Sequence, residues 1–128
     1  MSIQKVTYSA ILGVVLSNLR KQQSIEQGTM AENMGLSQAS YSRLEAGKSA
    51  FSIDQMYQAA IALNVPMSDI IGDIEKYTTK LKARGIAVEP QIRGNTTQAT
   101  KSDASENTGK VLAGAALGAL VMALLSGR

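Results

Sequence analysis

Apolar residues recur at helical spacing from about Ser9 to Arg84, in five successive segments that each present one apolar face. In the first, Leu12, Val15, Leu16 and Leu19 stand at i, i+3, i+4 and i+7, and Arg20 and Lys21 lie at the C-terminal end, where the helix dipole favours cations. The second is short, residues 27–33, with Met30, Ala31 and Met34 inward and Gly35 as its stop. Ser37 is placed to cap a third helix over residues 38–46, with Leu36 and Tyr41 as a hydrophobic staple and Gly47 as the terminator. Ser52 and Gln55 have capping-box spacing, and Phe51 and Met56 form a second staple. They open a fourth helix that carries Ile53, Met56, Ala60, Ile61 and Leu63 and closes at Asn64. Pro66 favours a new start, and the fifth helix runs over residues 67–84. Its Ile70, Ile74, Tyr77 and Leu81 make a short a/d seam. That seam has two readings: a helix whose first half packs on the core while the rest is solvated, or a dimer-forming helix that extends past the domain.

Beyond the fifth helix the pattern changes. Residues 88–110 are rich in Thr, Ser, Asn, Gln and Ala and read as a linker. Residues 111–127 then carry no charge and are apolar around the whole helix circumference. The predicted organisation is therefore all-α: a helical domain over residues 1–84, a flexible polar linker over 85–110, and an apolar, small-residue-rich helix over 111–127. The last segment would span about 26 Å at 1.5 Å per residue, the lower limit for a membrane span. Gly114 and Gly118 form a GxxxG pair, and Ala115, Ala119 and Ala123 make a small-residue stripe beside it, which would let two helices approach closely as a glycine zipper. Three readings stay open for this tail: a membrane anchor, an oligomerisation helix, or an unstructured sticky end.

Composition narrows the function. The chain contains no Cys and no His, which removes disulfides, thiolate nucleophiles, Cys/His zinc sites and imidazole acid–base chemistry together. No nucleophile–base pair, metal cluster or phosphate-cradling Gly loop is present either, so an enzyme is not expected, nor any cofactor or metal. Thirteen Lys/Arg against ten Asp/Glu give a net charge of +3, a mild basic excess compatible with nucleic acid. The first eight residues are polar and do not read as a signal peptide, which places the expected protein in the cytoplasm, at the nucleoid, with tethering to the inner face of the membrane as the tail's alternative.

Residues 27–47 have helix-turn-helix spacing: a short helix, a turn at Gly35-Leu36-Ser37, and a second short helix whose outer face is Gln38, Ala39, Ser42 and Arg43. Here the chain resembles the Cro and phage-repressor (XRE-like) helix-turn-helix family. The resemblance rests on Leu12-Gly13, Leu16, Arg20-Lys21, Gln27, Ala31, Gly35-Leu36-Ser37, Leu44-Glu45, Gly47-Lys48, Leu63 and Val65. It implies a five-helix, lambda-repressor-like DNA-binding domain. A B-DNA major groove admits one α-helix, and side chains near that helix's N-terminus meet base edges. Gln38 suits adenine, Ala39 a thymine methyl, and Arg43 guanine or a phosphate, while Ser42 suits either kind of group. By the resemblance, Gln27, Ser40 and Lys48 hold phosphates, and Arg20 and Glu45 form a structural ion pair tying the first helix to the recognition helix. Two features depart from the family pattern. Glu26 stands where a Ser or Thr cap is usual, with Gly28 inside the helix, and Tyr41 replaces a small β-branched residue, so its hydroxyl needs a partner.

The expected function is a sequence-specific double-stranded DNA-binding transcriptional regulator, a repressor that binds a near-palindromic operator as a homodimer or higher homo-oligomer. An antitoxin-type autoregulator is a close variant. The alternative is an interaction or structural protein whose tail drives oligomerisation or holds it to the inner membrane or a protein partner.

Overall fold

The computed structural model describes residues 4–90 and 111–126. A short strand β1 (Lys5–Thr7) leads directly into α1 (Tyr8–Gln22), because Thr7 ends the strand and its side-chain oxygen accepts the Ala10 N–H at 3.0 Å as the helix cap. Then come α2 (Gln27–Met34), α3 (Gln38–Glu45), α4 (Ile53–Leu63), α5 (Met67–Ala83), a second strand β2 (Ala87–Glu89) and a C-terminal helix α6 (Gly114–Ser126).

The helix boundaries follow local chemistry. Glu26 precedes α2 without any side-chain cap, so that helix starts with its first N–H groups unsupported from its own cap residue. Gly35 ends it in the left-handed region at φ 74°, and the Leu36 N–H returns to the Ala31 carbonyl. Ser37 caps α3 through the Ser40 N–H, and Ser52 and Gln55 complete a reciprocal capping box at the start of α4. Asn64 closes α4 at φ 57°, and the Gln23 amide donates to the Leu63 carbonyl at 2.8 Å, tying the ends of α1 and α4 together.

The core is centred on α1, whose Ile11, Leu12, Val14, Val15 and Leu16 are all buried, together with Met30, Ala31 and Met34 of α2. Tyr41 and Leu44 of α3 and Ala59, Ala60 and Leu63 of α4 fill the remaining sides. The apolar side read for α4 needs correction at two positions: Ile53 and Ile61 are 68% and 77% exposed, and Ala59 takes the inward place. Neither reading of the α5 seam holds either. Ile70, Tyr77 and Leu81 are buried and Ile74 packs partly against the core, so the seam is occupied along its length within one chain.

The N-terminal and post-helical segments also depart from the sequence reading. β1 and β2 pair in parallel, with Lys5 opposite Ala87, Val6 opposite Val88 and Thr7 opposite Glu89. Val6 and Ile86 are buried, so residues 85–89 belong to the folded body rather than to a linker beginning at 85. The rest of that predicted linker, residues 91–110, lies outside the described residues. On β1's other edge Lys5 makes a parallel bridge to Val111, and the Leu112 N–H donates to the Lys5 carbonyl at 2.8 Å.

That bridge delivers α6 onto α1 and α5 of its own chain, where Leu117 and Val121 are fully buried and Leu120 and Leu124 pack partly. Within the chain, Leu117 and Val121 make the buried contacts, and the stripe expected on Gly114, Ala115, Gly118, Ala119 and Ala123 does not supply them. Ala115, Ala119 and Ala123 are exposed, and a methyl group built on Gly118 would meet nothing within 4 Å. Among the described residues no helix is long and apolar enough to cross a membrane.

Candidate nucleic-acid interface

The site is built where α1 crosses the end of α3. A methyl group on Gly13 would fall 2.3 Å from the Glu45 carbonyl oxygen and 3.0 Å from that of Leu44, so only a residue without Cβ lets the two backbones meet. Beside this crossing, Glu45 is 8% exposed and accepts four hydrogen bonds on its two oxygens. Arg20 Nε and Nη2 donate at 2.9 and 3.0 Å, Gln27 Nε2 at 2.7 Å, and the Tyr41 hydroxyl at 2.6 Å. A further Arg20 nitrogen, Nη1, donates to the Ile25 carbonyl at 2.8 Å, which pins the α1–α2 turn.

This bidentate, fully partnered arrangement joins α1, α2 and α3 at one carboxylate. Burial works to raise the Glu45 pKa, but the hydrogen bonds from Arg20, Tyr41 and Gln27 and the Arg20 charge hold it below the usual carboxylate range. The hydrogen bond to Glu45 pushes Arg20 up against the opposing effect of its burial. Burial, then the bond to Glu45, raises Tyr41 far above an ordinary phenol. Tyr41 is therefore a neutral donor and its hydroxyl has the partner it requires.

With its base fixed in this way, α3 turns its outer face to solvent. Gln38, Ala39, Ser40 and Arg43 are exposed, and so is Lys48 just beyond the helix. Ser42 is half-buried. Ser40 sits at the cap, where it accepts a hydrogen bond from the Ser37 hydroxyl at 3.0 Å. Gln38 lies against the start of α2, since a methyl on Gly28 would stand 3.4 Å from Gln38 Oε1. Gln27 opens α2 half-buried, one of its amide hydrogens already committed to Glu45.

The arrangement is that of a helix-turn-helix: α3 projects its N-terminal side chains outward while α2 braces it from behind. Residues 16–70 match the family model described as Helix-turn-helix. Over that segment, which is less than half of the chain, the sequence is similar to the helix-turn-helix domain of the Cro and phage-repressor type. The clp gene regulator ClgR from Corynebacterium glutamicum is similar in structure, with a TM-score of 0.56 and 19% identity over 79% of this chain and 96% of its own. A second ClgR structure gives 0.52 and 22% over 54% and 90%. A point mutant of the restriction-modification controller protein C.Esp1396I gives 0.55 and 16% over 57% and 95%. At these identities the likeness is one of fold. No curated protein matches the chain.

The roles of three contributors went unseen in the sequence. Gly13, named in the sequence only as one of the residues that carry the family resemblance, makes the helix crossing, a role its spacing does not show. Thr7 caps α1, and the signal for it was a Thr three residues ahead of the buried Ala10. Lys21, read as a charge favoured by the helix dipole, also lines an open cleft of about 420 Å³ together with Gln27 and Ser42.

Proposed function

We propose that the chain is a sequence-specific transcription regulator that inserts α3 into the major groove of double-stranded DNA. The carrying observation is the solvent-facing row Gln38, Ala39 and Arg43 on a helix whose base is locked through Glu45. In this reading Gln38, Ala39, Ser42 and Arg43 meet bases, and Gln27, Ser40 and Lys48 meet phosphates, with a mild basic excess assisting approach. The regulators named among the similar structures support a regulatory role, and repression by covering a promoter is its simplest form.

The dimeric part of the reading draws on α4. Ile53, Tyr57 and Ile61 stand 68%, 53% and 77% exposed at i, i+4 and i+8, an apolar stripe that the same face of a second copy would cover. Two recognition helices would then read half-sites about 34 Å apart on a near-palindromic operator. Selection from a randomised duplex library tests the assignment. Gln38→Ala and Arg43→Ala should relax the consensus at separate positions, whereas Lys48→Ala should weaken all sequences alike and flatten the salt dependence by about one unit of slope. An unchanged consensus in both base-reading variants would refute their roles.

A further inference from the structure

Resting on that DNA-binding reading, we propose that α6 is an autoinhibitory arm: docked, it walls in the Gln27 and Ser42 edge of the helix-turn-helix and weakens DNA binding, and its release strengthens binding. The two walls of the cleft carry the argument. One is formed by Lys21, Gln27 and Ser42, the other by Ala115, Ala119 and Met122 of α6. α6 begins against the end of the recognition helix itself, where a methyl on Gly47 would lie 3.0 Å from Ala113 Cβ and one on Gly114 3.5 Å from the Ala46 carbonyl oxygen.

A surface that flanks a groove-entering helix meets phosphates, and such surfaces carry cations or hydrogen-bond donors. From Gly114 to Ser126, α6 brings neither a charge nor, before Ser126, a polar side chain. It therefore sets an apolar ridge beside the group of residues that should face a polyanion. Its hold on the domain involves no buried charge: Leu117 and Val121 are fully buried, Leu112, Leu120 and Leu124 pack partly, and the backbone of residues 111–112 bridges to Lys5. Duplex DNA and the docked arm thus draw on adjoining surface, and by linkage whatever favours one disfavours the other.

The absence of native cysteine makes a clean test available in the full chain. A Cβ on Gly114 would lie 4.0 Å from Ala46 Cβ, within disulfide range, so Ala46→Cys with Gly114→Cys holds the arm docked when oxidised and returns it to its own docking equilibrium when reduced. Gly114 stands at φ 57°, so the oxidised form is compared only with the same protein reduced, which carries the same backbone strain. Binding of a short duplex, followed by fluorescence anisotropy at low salt, should be weaker by at least about fivefold in the oxidised form than in the same protein reduced. Leu117→Asp with Val121→Asp, which expels the arm, should bind at least about fivefold tighter than the parent chain. Circular dichroism checks that this variant keeps its helices, and the lock decides the matter if it does not. Equal affinity in the oxidised and reduced forms, or tighter binding when locked, overturns the autoinhibitory arm while leaving the DNA-binding reading intact. Failure of every form to bind duplex at low salt overturns both.

Discussion

α1 meets two other helices on opposite terms. Against α3 it offers a glycine, and the two backbones come so close that a methyl at Gly13 would overlap the Glu45 carbonyl; the contact is then fixed by a carboxylate with four donors. Against α6 it offers an apolar flank that accepts Leu117 and Val121. The first contact has one geometry in which every buried polar group is satisfied, so any slip leaves a charge without its partner. The second is non-directional, and neighbouring placements of an aliphatic side chain differ little in energy. The difference teaches where rigidity is invested: the recognition helix is held at a single angle, and the C-terminal helix is held by contacts that can be surrendered without stranding a charge.

The largest expected effect tests the closeness of the first contact. Gly13→Ala must force α1 and α3 apart, since the neighbouring atoms are backbone and cannot turn aside. The cost should reach or exceed the upper end of the roughly 1–3 kcal/mol usual for overpacking, a large share of a small domain's stability. Urea unfolding followed by circular dichroism measures it, and a loss below about 1 kcal/mol would show the crossing to be loose.

Next comes the polar knot. Glu45→Ala leaves Arg20 buried without its countercharge and should cost roughly 3 kcal/mol, while Tyr41→Phe, which removes one donor, should cost about 1–2 kcal/mol. The knot also has a pH signature. Because the folded pKa of Glu45 is lowered, its contribution is complete above the ordinary value of 4.5 and is lost as pH falls through the folded value. Tyr41 is raised, so its contribution is complete below its ordinary 10.0 and is lost only at higher pH. Thermal melts of the parent should therefore fall off on the acid side of pH 4.5, and Glu45→Gln should flatten that limb. An acid limb of equal steepness in both proteins would assign it to other carboxylates.

The second contact is expected to give less. Leu117→Ala should lower stability by about 2–3 kcal/mol if α6 unfolds together with the domain. A global transition that does not move, accompanied by faster amide exchange confined to α6 and the α1 flank, would instead make the arm a separate unit that opens beneath the global transition. Either result sharpens the comparison, because a Glu45 variant must move the global transition in both cases.

The two contacts were also unequally legible in the sequence. α2, α3 and α4 announce themselves through Gly35, Ser37, Ser52 with Gln55, and Asn64, whose chemistry is local and acts within a turn of the chain. The outer row Gln38, Ala39 and Arg43 follows from helical period once α3 is placed. The partner of Glu45 came from family resemblance, since twenty-five residues separate it from Arg20 and nothing local joins them. β1 and β2, three residues each, are too short to show alternation, and their pairing spans most of the domain. α6 failed to reveal its buried face for a different reason: a segment apolar on all sides has no amphipathic direction, so small size at Gly114, Ala115, Gly118 and Ala119 suggested a packing stripe where bulk at Leu117 and Val121 supplied it.

Glycines give the smallest and most discriminating test, because the same substitution should change sign with its surroundings. A methyl on Gly72 in α5 would meet nothing within 4 Å, and one on Gly28 in α2 would come only into ordinary contact with Gln38 Oε1 at 3.4 Å. Both glycines lie inside helices, where alanine is favoured over glycine by about 1 kcal/mol. Gly72→Ala and Gly28→Ala should each raise stability by up to that amount, against the large loss at Gly13. Gly28→Ala carries more information than its size implies, since it firms a helix that lacks a side-chain cap and presses on the resting place of the first base-reading residue. If Gln38 must leave Gly28 to reach a base edge, the variant gains stability and keeps its consensus. A stability gain accompanied by an altered preference at the Gln38 position would mean instead that the glycine is kept to give that side chain its path.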